Sequence, residues 1–230
     1  MGTSFKVSVA AAAVAAMTSM ASANTVQFSE QMPGDVFAGG GKTTITISSD
    51  GTETTAQAGG FQLTDGVRNF LAWCATVSRT LKLPSDYSPT HTPFIGDTLS
   101  ASVVSNLQKL FNTAFLNLDV TNNVQSAAYQ LAIWEILADD DLNVTTGSFQ
   151  YVSGSAAVRN QANQFLSNLN GPQTEEYILT FWQSELNKKG VPASQDLITA
   201  APIPLPAAVW MLLGAIAAAA GVTRMRSRSA

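Results

Sequence analysis

Thr121-Asn122-Asn123-Val124-Gln125-Ser126-Ala127-Ala128-Tyr129-Gln130-Leu131-Ala132-Ile133-Trp134-Glu135-Ile136-Leu137-Ala138 is the stretch on which the reading of this chain turns. Thr121 can cap a helix that begins here, and Asp139, Asp140 and Asp141 end it. Residues 131–138 are apolar almost all round, so this part of the helix is expected to be buried. Gln130 enters that segment as a polar amide, which must find a hydrogen-bond partner or bear the cost of desolvation. Trp134 stands four residues on, on the same helix face.

Working outward, Val103, Leu107, Leu110, Phe111 and Ala114 recur at helical spacing behind a capping Ser100. Ser155 starts a third helix, with Val158, Ala162, Phe165 and Leu169 inward. On either side of these helices the period falls to two. Residues 43–48 alternate, with Ile45 and Ile47 on one face; Asp50-Gly51 is a turn signal, and residues 52–56 return as a partner strand. Residues 67–77 form a further strand, with Phe70, Ala72 and Cys74 on one face and Leu71 and Trp73 on the other. Residues 84–98 read as loop, and residues 176–182 and 196–199 as late strands. No internal repeat is visible. The order predicts an α+β domain, in which N- and C-terminal β strands pack with a central helical segment.

Both ends of the chain carry targeting features. Lys6, an apolar run over residues 7–17 and the small residues Ala21-Ser22-Ala23 have the layout of a secretory signal, with cleavage expected after Ala23 and a mature start at Asn24. Residues 205–222 are apolar and uncharged, enough for a helix of roughly 27 Å across a membrane. Arg224, Arg226 and Arg228 follow as a stop-transfer tail. Basic flanks stay cytoplasmic, so a C-terminal transmembrane helix would hold the bulk of the chain outside the inner membrane. Ahead of it, Pro202-Ile203-Pro204-Leu205-Pro206-Ala207 stays extended, a handle for a processing enzyme. The prolines, the apolar run and the Arg-rich end resemble the VPLPA-CTERM variant of the PEP-CTERM sorting signals, with Ile203 where that family has Val. The resemblance implies cleavage near the prolines by an exosortase-type membrane transpeptidase. It also implies a Gram-negative-type envelope and a final place on the cell surface or in the extracellular matrix. The chain so read divides into a signal peptide (1–23), an exported domain (24–200) and a sorting segment (201–230).

Without Lys6 and the three terminal arginines, eight basic residues face sixteen acidic ones, a net charge near −8. That sign excludes a nucleic-acid footprint and disfavours anionic lipid surfaces. Cys74 is the one cysteine. In an oxidising compartment a lone Cys is buried and inert, paired between chains, or reactive.

Trp73-Cys74 and Gln130-Leu131-Ala132-Ile133-Trp134 together resemble the thioester (TQXA) domains of bacterial surface adhesins, which carry a Cys after an aromatic and a Gln-x-Ala-Ile-Trp motif. The resemblance implies that the Cys74 thiol displaces ammonia from the Gln130 carboxamide. The internal thioester then acylates an amine on a surface or matrix target, once and without turnover. This chain departs from the family in having Tyr129 before the Gln, a short Cys–Gln interval, and a different sorting signal from the mostly Gram-positive adhesins. Read as ordinary structure, Cys74 is a small buried hydrophobe, Gln130 bonds to backbone across the core, and Trp134 is core. Glu135 is either an acid or base beside the thioester or a solvated or paired carboxylate. His91, the only histidine, cannot build a His-based metal site alone. The run Asp139 to Asp141, with Asn143, offers oxygen ligands without the spacing of an EF-hand loop, and reads as a solvated helix end. No cofactor or metal is expected, and no enzymatic turnover. Two alternatives stay open: a non-covalent structural or exopolysaccharide-matrix component, and a hydrolase acting through Glu135.

Overall fold

The computed structural model describes residues 25–90, 99–139, 141–171 and 176–203. In chain order its strands and helices are β1 (Val26–Glu30), β2 (Thr43–Ser49), β3 (Thr52–Ala58), β4 (Phe61–Thr64), β5 (Asn69–Cys74), β6 (Ser85–Thr90), α1 (Ala101–Ala114), α2 (Asn123–Ala138), β7 (Phe149–Ser153), α3 (Ala156–Ser167), β8 (Tyr177–Ser184) and β9 (Leu197–Pro202). The β2–β3 hairpin forms as its turn signal requires. Asp50 and Gly51 take positive φ angles of 49° and 77°, as a type I′ turn demands, and Ser49 pairs with Thr52. Alternation on β2 buries Ile45 and Ile47, while β7 adds a third strand on its other edge.

The remaining strands close on themselves as an antiparallel barrel in the order β1-β4-β5-β9-β8-β6. This corrects the expected fold class. The N- and C-terminal strands do not simply pack with a central helical segment; six strands close into a barrel, with a separate three-stranded sheet beside it. Closure rests on long-range register, β1 between β4 and β6 and β9 between β5 and β8, and no local period reports it. Strand β6 occupies part of what reads as loop. Its Ser85 and Tyr87 are inward and buried between β1 and β8, a pattern with a single large apolar residue. Strands β1, β4 and β7 are likewise short. With every barrel pair antiparallel, β1 enters and β9 leaves at one pole, and β5 ends at the other.

The expected transmembrane helix, residues 205–222, lies outside the described residues; among those described, no helix is long and apolar enough to cross a membrane. The expected signal peptide, His91, Pro204, Leu205, Pro206, Ala207 and the three arginines lie outside the described residues. Pro202 is the last residue of β9.

Helix α1 is capped by Ser100, whose Oγ accepts from the Val103 N–H. Helix α2 is capped by Asn122 rather than Thr121, its Oδ1 accepting from the Val124 and Gln125 N–H groups. Asn is a better N-cap than Thr, and the Thr121 hydroxyl donates instead to Asp119. Every residue of α2 from Ser126 to Ile136 is buried. The helix lies among α1, α3, β2, β3, β5 and β7, which is why it has no polar face.

Candidate functional site

Strand β4 begins at Phe61, opposite Ala72. Cys74, two residues farther along β5, therefore has no strand neighbour on that side. Gln130 takes the vacant place. Its Oε1 accepts the Cys74 N–H at 2.8 Å and its Nε2 donates to the Cys74 carbonyl at 2.9 Å. Both residues are buried, at 2% and 1% exposure. The amide that sequence reading flagged as needing a partner is thus fully satisfied by the very residue proposed to react with it.

The sulfur has its own surroundings. Cys74 Sγ donates to Gln195 Oε1 at 2.9 Å and approaches the Thr76 carbonyl at 3.3 Å. Gln195 is held between two pinned neighbours. The Ser194 N–H donates to Ser184 Oγ at 2.8 Å, and Asp196 accepts from the Ser184 N–H at 2.9 Å and the Thr76 hydroxyl at 3.1 Å. The Gln195 Nε2 is buried without a hydrogen-bond partner. Sequence reading missed this residue; it sits just before a short late strand, and nothing local connects it with a cysteine over a hundred residues earlier.

Cys74, Gln195, Trp134 and Arg79 line a cleft of about 420 Å³ together with Phe37, Phe61 and residues 54–57 of β3. Trp134 also lines a neighbouring cleft with Val77, Leu137 and Ala138. Trp73, Ala132 and Ile133 are fully buried. They support the site without lining the cleft: Trp73 packs on Tyr129 with ring centroids 4.7 Å apart.

Burial pushes the Cys74 thiol up to about 12; contacts with Thr76 and Trp134 pull it down by less, and the Asp196 charge adds to the rise. A thiol shifted from 9.0 to about 12 is almost wholly protonated at pH 8. Its lower thiolate fraction, partly offset by greater nucleophilicity, slows reaction with a disulfide reagent by roughly 30- to 60-fold before access is counted. With the sulfur also buried, the folded chain is expected to give Ellman colour at pH 8 far more slowly than an exposed thiol. Rapid labelling there would show an open, ionised thiol.

Glu135 does not join this site. One residue past Trp134 it points about 100° around the helix, and it is absent from the cleft lining. Fully buried, it gathers with Asp139 and Asp141, and burial, then the Asp141 and Asp139 carboxyls, push it up to about 10. Asp139 is more than a solvated helix end: its Oδ2 accepts the Phe149 N–H at 2.9 Å.

No protein-family model matches the chain, and no curated protein matches it in sequence. Among solved structures, it is similar to the N-terminal domain of the Streptococcus pyogenes pilus tip adhesin Cpa. That likeness has 14% sequence identity and a TM-score of 0.37, covering 76% of this chain and 99% of that one. At that TM-score it carries no weight for mechanism, which rests on the residues themselves.

Proposed function

We propose that the chain is an exported surface or matrix protein that joins Cys74 to Gln130 as an internal thioester and uses it for covalent adhesion or cross-linking. The observation that carries this reading is the mutual pairing of the Gln130 amide with the Cys74 main chain. The Cys74 N–H donates to the acyl oxygen, as an oxyanion donor would, and favours charge developing there under attack. In the first step the S–C bond forms, the C–N bond of the carboxamide breaks, and the thiol proton leaves on ammonia. In the second, a target amine attacks the thioester carbon, forming an amide and returning the thiol. The chemistry is single-use, so no turnover is expected. Burial of both groups supports it by holding them together and keeping water from the acyl carbon. The cleft beside Cys74 and Trp134 is the approach for the amine. Sorting by an exosortase-type enzyme would deliver the protein to the surface or matrix.

A second reading has its own support. Gln130 is satisfied at both ends of its amide, and the Cys74 thiol is held protonated. A structural matrix component would use the same pairing merely to finish the edge of β5. Intact mass distinguishes them. The covalent reading predicts a mass short by one ammonia, converted by methylamine to an adduct and absent in Cys74→Ala. An unmodified mass, no adduct and one thiol titrating in denaturant would leave the structural reading.

A further inference from the structure

At the C-terminal end of α2, one ligand oxygen each from Glu135, Asp139 and Asp141 lies within 4.8 Å of the other two. Among the described residues no Lys or Arg is within ion-pair distance of any of them; the two ion pairs present are Arg68–Asp65 and Arg79–Asp196. Asp139 and Asp141 each have hydrogen bonds on both oxygens. Asp139 accepts from the Asp141 and Phe149 N–H groups, and Asp141 from the Asn143 N–H and the Thr146 hydroxyl. Glu135 differs. It is completely buried, its Oε1 accepts the Asn143 N–H at 3.3 Å, and its Oε2 has no partner. A buried carboxyl that meets no N–H, hydroxyl or cation at Oε2 and shares its surroundings with two further carboxyls can ionise only beside a positive group, and the protein supplies none. The 141–149 loop closes tightly over this cluster. Gly147 has φ +77°, and a Cβ there would stand 2.1 Å from Asp139 Oδ2.

We infer that Glu135, Asp139 and Asp141 form a calcium site, with Glu135 Oε2 as its buried anchor. An all-oxygen, carboxylate-rich donor set with neither His nor Cys selects a hard cation. Calcium takes roughly six to eight oxygens in flexible geometry and tolerates a site completed by water, whereas magnesium demands a near-ideal octahedron. Asp141 is exposed and Asp139 half-buried, so the open side admits the ion and its remaining waters. Exported proteins meet calcium at concentrations that fill weak sites of this kind. The ion would tie the last turn of α2 to the loop leading into β7. This inference does not depend on thioester chemistry.

The test is thermal unfolding of the whole chain, stripped with EDTA, against added CaCl₂ or MgCl₂, with terbium luminescence under tryptophan excitation as a second readout. Calcium is expected to raise the melting temperature progressively through the millimolar range, and magnesium to raise it less. Terbium should give sensitised emission that calcium displaces. Glu135→Gln and Asp141→Asn should abolish both effects, while Cys74→Ala keeps them. If Glu135→Gln fails to fold, Asp141→Asn decides alone, since its side chain is exposed. No shift and no sensitised emission in the parent chain, or undiminished effects in Asp141→Asn, would overturn the inference.

Discussion

Gln130→Ala is expected to destabilise the protein by about 2–6 kcal/mol, because truncation strands the Cys74 N–H and carbonyl in the interior, each at about 1–3 kcal/mol. The size of the loss follows from where β4 begins. Opposite Cys74 no other strand can take over the two main-chain groups, and water has little access to a residue at 2% exposure. Cys74→Ala is the informative companion. It leaves the main-chain pairing intact and removes only a small side chain, so its loss should be clearly the smaller of the two. Both variants nevertheless remove every methylamine adduct under the covalent reading. Urea denaturation beside intact mass therefore separates what Gln130 does for the fold from what it does for chemistry. Equal stability losses for the two variants would show that the amide–backbone pairing is not the structural element inferred here.

Trp73→Ala should have a comparable or larger effect, about 3–5 kcal/mol. The indole is fully buried, 4.7 Å from the Tyr129 ring. It lies so close over Gly60 that a Cβ there would be 2.8 Å from its ring. Nothing nearby can collapse into the space without moving β5 or α2. Part of the loss is returned because the indole Nε1 has no hydrogen-bond partner, and removing an unsatisfied donor is favourable. Trp73→Phe keeps most of the area and drops the unpaired donor, so it should cost much less. Set against a domain stability of roughly 5–15 kcal/mol, Trp73→Ala should bring the unfolding midpoint down steeply. It should also admit water beneath Cys74 and hasten loss of any thioester by hydrolysis. A midpoint within error of the parent chain would refute the packing argument.

What could be read in advance was local. The β2–β3 hairpin announced itself through Asp50-Gly51, α1 through Ser100, and the burial of α2 through its unbroken apolar face. The Gln130 amide declared its need for a partner, with backbone across the core as one reading, and the backbone it meets is that of Cys74. Barrel closure was not legible, because β1, β4 and β6 are short and owe their pairing to residues far away in sequence. Gln195 was hidden for the same reason: its approach to Cys74 depends on β9 lying beside β5. For Glu135 both readings stood open, since spacing along a helix shows which residues share a face but not what packs on each side; its carboxyl meets Asp139 and Asp141 rather than the cleft.

The arrangement of the barrel poles bears on mechanics. Cys74 ends β5 at one pole, and the neighbouring β9 runs from Leu197, opposite Cys74, to Pro202 at the other. In the proposed chemistry the target ends on the Gln130 acyl carbon, in α2, so a tether attached beyond Pro202 would load the stretch from Gln130 to Pro202, which includes the β8–β9 ladder.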